Sequence, residues 1–192
     1  WSLNRQQYIE VDMSLDEEAV KIFIGSSSNG EDAEIECAYE YSLRQNCSKE
    51  LDIVWMRQTH SSESWWGAWM TQEWSTPFSG FRWSIPEYCN FKGRAIYTDC
   101  DMINYRDMAD LIEIDMEDKP VAARRGNRFG GHEFCVMVFD CEAFRPHSIP
   151  THRMKLIPGS HHRFIRKFSG NTDLVKDLDP KWNVLDLSLI HI

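Results

Sequence analysis

The chain has 192 residues, of which 42% are hydrophobic and 12% aromatic, and it carries a formal charge of -9. That length suits one domain with a full core, and the acidic balance argues against a nucleic-acid binder, which would present a basic face. No stretch approaches the length of a membrane span, and no basic-then-apolar leader opens the chain.

The first residue is Trp1 rather than Met, so a fragment or a processed product is expected. Residues 1–20 are polar and acidic and are expected to form an N-terminal arm ahead of a domain over 21–192. Lys21-Ile22-Phe23-Ile24 is a compact apolar run ended by Gly25-Ser26-Ser27-Ser28-Asn29-Gly30, the pattern of a strand followed by a loop. From about Asp32, Ile35, Ala38, Tyr39 and Leu43 recur at helical spacing, with Ser28 or Asn29 as candidate caps. Asp52-Ile53-Val54-Trp55-Met56 reads as a second strand, and strand, loop, helix, strand implies parallel neighbours.

Residues 57–78 hold His60, Trp65, Trp66, Trp69 and Trp74 among polar residues. They read equally as an aromatic platform for sugar rings or as a loop whose indoles tuck against the core. Phe78 to Asn90 reads as a helix broken near Pro86.

Next comes Gly93-Arg94-Ala95-Ile96-Tyr97-Thr98-Asp99-Cys100-Asp101-Met102-Ile103, an apolar segment that stops in two aspartates. In extended chain, residues two apart share a face. Two hard oxygen donors on one face suit Mg2+ or Mn2+, and through the metal a phosphate. The plain alternative is a turn, where Asp is common.

Asp107 to Ile112 reads as a short helix capped by Asp107, and Pro120-Val121-Ala122-Ala123 as a short strand. Arg124, Arg125 and Arg128 sit in a glycine-bearing loop, readable as a phosphate contact or as a solvated basic loop. Phe134 to Phe139 is continuously apolar, hence a strand covered on both faces. Residues 145–170 are basic, rich in histidine and in turn residues. The adjacent rings of His161 and His162 are expected to diverge, and no metal site is assigned to them. Trp182-Asn183-Val184-Leu185-Asp186 leads into a last strand, Leu187 to Ile192. None of the six cysteines forms a C-x-x-C pair, which points to a reducing compartment and a cytoplasmic location.

Taken in order, these segments resemble the GT-A glycosyltransferases, most closely the family-8 type that includes glycogenin and bacterial lipopolysaccharide galactosyltransferases. Ile22 to Gly25 is similar to the first nucleotide-binding unit of that family. Phe81-Arg82-Trp83-Ser84-Ile85-Pro86 is similar to its arginine-bearing helix. Ala95 to Ile103, continuing to Leu111, is similar to its Tyr-x-Asp-x-Asp (DXD) stretch. Val136 to Asp140 is similar to its next core strand, and Trp182-Asn183 followed by His191 to its C-terminal end.

The resemblance implies an α/β GT-A domain with a mixed, mostly parallel sheet flanked by helices. It implies an enzyme moving a sugar from a nucleotide-sugar, a UDP-sugar by family habit, to a hydroxyl on a glycan, glycolipid or protein. Asp99, Asp101 and His191 would hold Mn2+ or Mg2+, with the imidazole tilting the choice toward Mn2+. Gly25, Ser26, Tyr97 and Cys100 would line the donor beside Asp99 and Asp101, and Arg82 would lie near the donor phosphates or brace the aspartates.

The chain departs from the family in three places. It has Glu133-Phe134-Cys135 where Asn, a small residue and Gly are usual. It has no clear Asp-Gln-Asp counterpart between Asp140 and Trp182. It ends before the family's lysine-bearing Gly/Lys-Pro-Trp segment, so a domain cut short at its C-terminus is expected. A sugar-nucleotide nucleotidyltransferase is one alternative, but it would need a basic glycine-rich loop where Gly25 to Gly30 has serines. A non-catalytic carbohydrate-binding relic is the other.

Overall fold

A computed structural model describes residues 19–126 and 130–184. The chain forms β1 (Val20–Gly25), α1 (Ala33–Asn46) and β2 (Leu51–Met56), then a long irregular segment. A 3-10 turn (Phe81–Ser84) runs into α2 (Ile85–Tyr88), with Pro86 in its first turn, where a missing N–H costs nothing. Next come β3 (Arg94–Asp99), α3 (Met108–Ile112), β4 (Val121–Arg125) and β5 (His132–Asp140). Three helices follow, α4 (Cys141–Phe144), α5 (Thr151–Met154) and α6 (His161–Phe168), and then β6 (Val175–Leu178).

The six strands form one sheet in the order β2-β1-β3-β5-β4-β6. β1 pairs parallel with β2 and β3, and β4 pairs parallel with β6. Only β5 runs against its neighbours. The carboxyl ends of β1, β2, β3, β4 and β6 therefore share one edge with the start of β5.

Alternation along the strands splits the core in two. Phe23, Ala95, Tyr97, Val121, Ala123, Met137 and Phe139 face one side, under the aromatic segment and α6. Ile22, Ile24, Ile96, Ala122, Val136 and Val138 face the other, with Tyr39 and Leu43 of α1 and Met108 and Leu111 of α3. Helical cover on both faces is what allows strands as apolar as β1 and β3.

Several sequence expectations are corrected. The α1 cap position is Asp32, not Ser28 or Asn29, and its carboxylate turns back onto the Ser27 amide at 3.0 Å. Ile35 and Ala38 lie on the solvent face of α1, because the sheet needs only the Tyr39 and Leu43 stripe there. The tryptophans of 57–78 are core rather than a platform. Trp66 and Trp69 are buried, and they meet Phe23, Phe81 and Trp74 edge to face. Residues 161–168 form a helix inside the stretch expected to be basic and turn-rich, and 175–178 form an edge strand for which no element is expected from sequence. Arg124 and Arg125 lie on β4, where Arg124 donates to the Asn183 carbonyl and Arg125 pairs with Asp177 at 3.0 Å. Arg128 and the expected strand Leu187 to Ile192 lie outside the described residues.

Candidate donor and metal site

The sheet order fixes where a ligand can enter. β1 sends α1 toward β2 on one side and has β3 on the other, so the connections leaving β1 and β3 diverge. Open α/β sheets bind ligands in the crevice such a divergence leaves at the strands' carboxyl ends. Here the register pairs Gly25 directly with Asp99 at that edge.

Two side chains hold Asp99, and both bond the same carboxylate oxygen. The Tyr97 hydroxyl, two residues back on the same face, donates to Asp99 Oδ1. Arg82 Nη2 donates to the same oxygen at 3.2 Å. The Arg82 guanidinium also lies 4.3 Å from the Tyr97 ring centroid, and its Nη1 donates to the Phe134 carbonyl. The 3-10 turn places Arg82 there by burying Phe81 and Trp83 beside it.

Burial pushes the Asp99 carboxyl above its ordinary range. Arg82 and Tyr97 oppose that rise, and the charge of Asp101 adds to it. Burial likewise holds the Tyr97 hydroxyl well above the usual phenol value. Asp101 lies past the end of β3 and is exposed. The two acids thus sit together at one edge, Asp99 buried and braced and Asp101 exposed.

Gly25 is required by close approach. A Cβ there would lie 2.5 Å from the Phe78 ring and 2.9 Å from the Tyr97 hydroxyl. Ser26 is fully buried, and its hydroxyl donates to Glu36 and lies 3.4 Å from Asp32. Glu36 in turn takes two bonds from Arg57, at 3.1 and 2.6 Å, and Arg57 lies over the Trp55 ring. Burial pushes the Glu36 carboxyl up, but the Arg57 and Ser26 hydrogen bonds outweigh it and leave the acid below its usual range. Burial raises the Cys100 thiol to about 11, against hydrogen bonding from Ser26.

The structure therefore brings Gly25, Ser26, Arg82, Tyr97, Asp99, Cys100 and Asp101 to one sheet edge. His191 lies outside the described residues. Among the described residues no group of three or more His, Cys, Asp or Glu side chains is arranged to hold a metal. Sequence reasoning missed Asp32 and Glu36, which engage the Ser26 hydroxyl, and Arg57, which holds Glu36. The acid-rich first turn of α1 was the available signal.

It also missed the surroundings of Arg82 on the far side. His161 and His162 open α6 with ring centroids 4.0 Å apart, so the two rings do not diverge. His161 is buried, and burial together with His162 and Arg82 lowers it to about 4, leaving it neutral near pH 7. Cys135 receives a hydrogen bond from the Asn183 amide at 3.1 Å.

No protein-family model matches the chain, and no characterised protein is found related to it by sequence. Solved structures do share its fold. The bifunctional glycosyltransferase WbbM in its apo form superposes with a TM-score of 0.67 at 14% identity, over 88% of this chain and 40% of its own. The glycosyltransferase GlyE of Streptococcus pneumoniae TIGR4 gives 0.61 at 18% identity, over 86% of this chain and 46% of its own. The galactosyltransferase LgtC, in complex with donor and acceptor sugar analogs, gives 0.57 at 12% identity, over 84% and 74%. The chain thus has the GT-A glycosyltransferase fold, and it spans less than half the length of WbbM and GlyE.

Proposed function

We propose that the protein is a metal-dependent glycosyltransferase that moves a sugar from a nucleotide-sugar, with UDP as the nucleotide, to a hydroxyl acceptor. The observation that carries this reading is the Asp99–Asp101 edge at the divergence of β1 and β3, with Asp99 braced by Arg82 and Tyr97. The fold shared with donor-binding LgtC supports it.

The donor set suits a divalent cation. Two carboxylates share one edge, and burial, against the pull of Arg82 and Tyr97, makes the negative charge on Asp99 costly. Asp99 and Asp101 would hold Mn2+, with His191 as a nitrogen ligand. When bound, the metal supplies positive charge to a leaving diphosphate.

The chain's own residues do the rest. Arg82 fixes the Asp99 carboxylate through Oδ1 and, with Tyr97, keeps it from rotating away from the edge. Gly25 lets the β1 loop approach that edge without a side chain in the way. Cys100 and Ser26 close the floor beneath the donor. The acceptor is a glycan, glycolipid or protein hydroxyl. A reducing, cytoplasmic setting is part of the same proposal, resting on cysteine spacing in the sequence.

The test is a donor screen. Each nucleotide-sugar is incubated with the protein and Mn2+, and nucleoside diphosphate release is measured. Release from a UDP-sugar is expected, and chelation by EDTA should abolish it. Asp101→Ala should lower it on the order of 100-fold while the circular dichroism spectrum stays unchanged. Full activity in that variant would sink the assignment.

A further inference from the structure

The edge of the sheet opposite the acids holds two thiols side by side. β5 runs against β3, so Asp140 at its end pairs with Arg94, at the other end of β3 from Asp99. Cys141 follows as the first residue of α4, and its amide donates to the Gly93 carbonyl at 3.0 Å. Cys89 closes α2, and the chain from there to Gly93 is a tight turn. Asn90 and Phe91 both take left-handed backbone, at φ 53° and 56°, and the Lys92 amide returns to the Cys89 carbonyl at 3.1 Å. The Phe91 amide reaches the Pro86 carbonyl at 2.7 Å. This turn ties the end of α2 to the start of α4, and there the Cys141 thiol donates a hydrogen bond to the Cys89 sulfur.

We propose that Cys89 and Cys141 are a peroxide-reactive thiol pair, with Cys89 the attacking sulfur and Cys141 the resolving one. Oxidation closes them into a disulfide that staples α2 to the end of β5.

Three observations carry it. First, the pair is asymmetric in access. Cys89 is half-buried, open enough for a molecule as small as a peroxide, whereas Cys141 is fully buried. An accessible thiol next to a second, protected one is the arrangement that oxidises selectively. Second, the contact itself divides the roles. The hydrogen bond from Cys141 holds the Cys89 thiol below its ordinary value despite burial, with Lys21 helping and Asp52 opposing. The same contact, with burial, pushes Cys141 up, so Cys141 keeps its proton. Third, the position of Cys89 is over-determined. A phenylalanine seldom takes left-handed backbone, and it does so here only under the hydrogen bonds that close the turn.

The chemistry balances with hydrogen peroxide as the oxidant. The Cys89 thiolate attacks one peroxide oxygen, the O–O bond breaks, and hydroxide leaves, which gives a sulfenic acid. The Cys141 sulfur then attacks the Cys89 sulfur, the S–O bond breaks, and the Cys141 proton leaves with the oxygen as water. Two thiols and one peroxide become one disulfide and two waters. The crosslink closes a loop that contains β3, α3, β4 and β5. Constraining so long a loop in the unfolded chain stabilises the fold. It lies at the opposite edge from Asp99 and Asp101, so it acts on stability rather than on the donor crevice.

The experiment treats the 192-residue chain with a small excess of hydrogen peroxide. Proteolytic peptides are then mapped by mass spectrometry without reduction, and thermal melts are recorded before and after. The expected result is a Cys89–Cys141 linked peptide lacking two hydrogens, a melting temperature raised by about 5–10 °C, and reversal of both by dithiothreitol. Cys89→Ser and Cys141→Ser should each lose the link and the shift, and circular dichroism checks that they are folded. Cys37→Ser, on the exposed side of α1, should keep both. A sulfenic acid trapped by dimedone at Cys89 with no link formed would overturn the proposal. So would a disulfide from either residue to a different cysteine, or a link that leaves the melting temperature unchanged.

Discussion

Arg82 is the residue on which the acidic edge depends. It bonds the Asp99 carboxylate, stacks on Tyr97 and bonds the backbone of β5 at Phe134, all from a nearly buried position. Removing one partner of such a pair leaves the other charge buried without compensation. Arg82→Ala is expected to lower stability by roughly 3 kcal/mol, read from the urea midpoint. An unchanged midpoint would mean that Asp99 is satisfied elsewhere. His161 sets a pH limit of its own. Its folded value of about 4 lies below the free value of 6.5, so the folded state resists protonation. The stability it confers is complete above 6.5 and is lost as pH falls from 6.5 to about 4, up to about 3 kcal/mol. His161→Gln should flatten the thermal-melt profile across that window, and a profile identical to wild type would exclude the histidine as its source.

How much of the site could be read in advance varied with the kind of signal. Asp99 and Asp101 stand at the end of a run so apolar that their position could be read directly. The Tyr97–Asp99 contact follows from strand periodicity alone. The Arg82 contact came only through the family resemblance, as one of two expected roles, because it crosses from one segment to another and depends on how Phe81 and Trp83 are buried. The network from Ser26 through Glu36 to Arg57 was hidden, because it joins three separate segments.

Among the elements, α6 matters most for the core relative to how little it resembles a helix in sequence. Its buried residues are His161, Phe164 and Phe168, set among arginines, a lysine and a second histidine. Only two of these are apolar, too few to signal a helical period without knowing what they face. In the fold, Phe164 stacks on Trp83 at 5.0 Å and 7°, and Phe168 packs on Phe144 at 5.5 Å. Phe164→Ala should therefore cost about 3–5 kcal/mol in a denaturant titration, far more than an exposed position such as Ile165. β6 was equally hidden, since Val175-Lys176-Asp177-Leu178 is short and half charged. Its charges suit an edge strand, where they discourage pairing with another chain. β1, β3 and β5 were legible because strands covered on both faces are nearly continuous apolar runs.

For the whole molecule, the sheet order decides the ligand-binding end, and the two halves of the fold divide the work. The β1–α1–β2 unit builds one wall of the crevice proposed for the donor, and the β4–β5–β6 half carries the opposite flank of the sheet. β3 lies between them, and its end bears the acids. Gly25→Val should disturb the proposed donor side. The added side chain would collide with Phe78 and Tyr97, at a cost of about 1–3 kcal/mol, and UDP affinity measured by calorimetry should fall. Unchanged UDP affinity would mean that the end of β1 does not line the donor site.

The strand order also sets a timetable for self-assembly. Ile22 of β1 pairs with Ile53 on one side and with the much more distant Ile96 on the other. Closing the short loop costs less chain entropy, so the β1–α1–β2 unit should nucleate early. Insertion of β3 must wait for the whole tryptophan-rich connection to collapse over Phe23. Newly made chain would thus expose its acidic edge last, and a refolding experiment following tryptophan fluorescence should record that docking as the slowest phase.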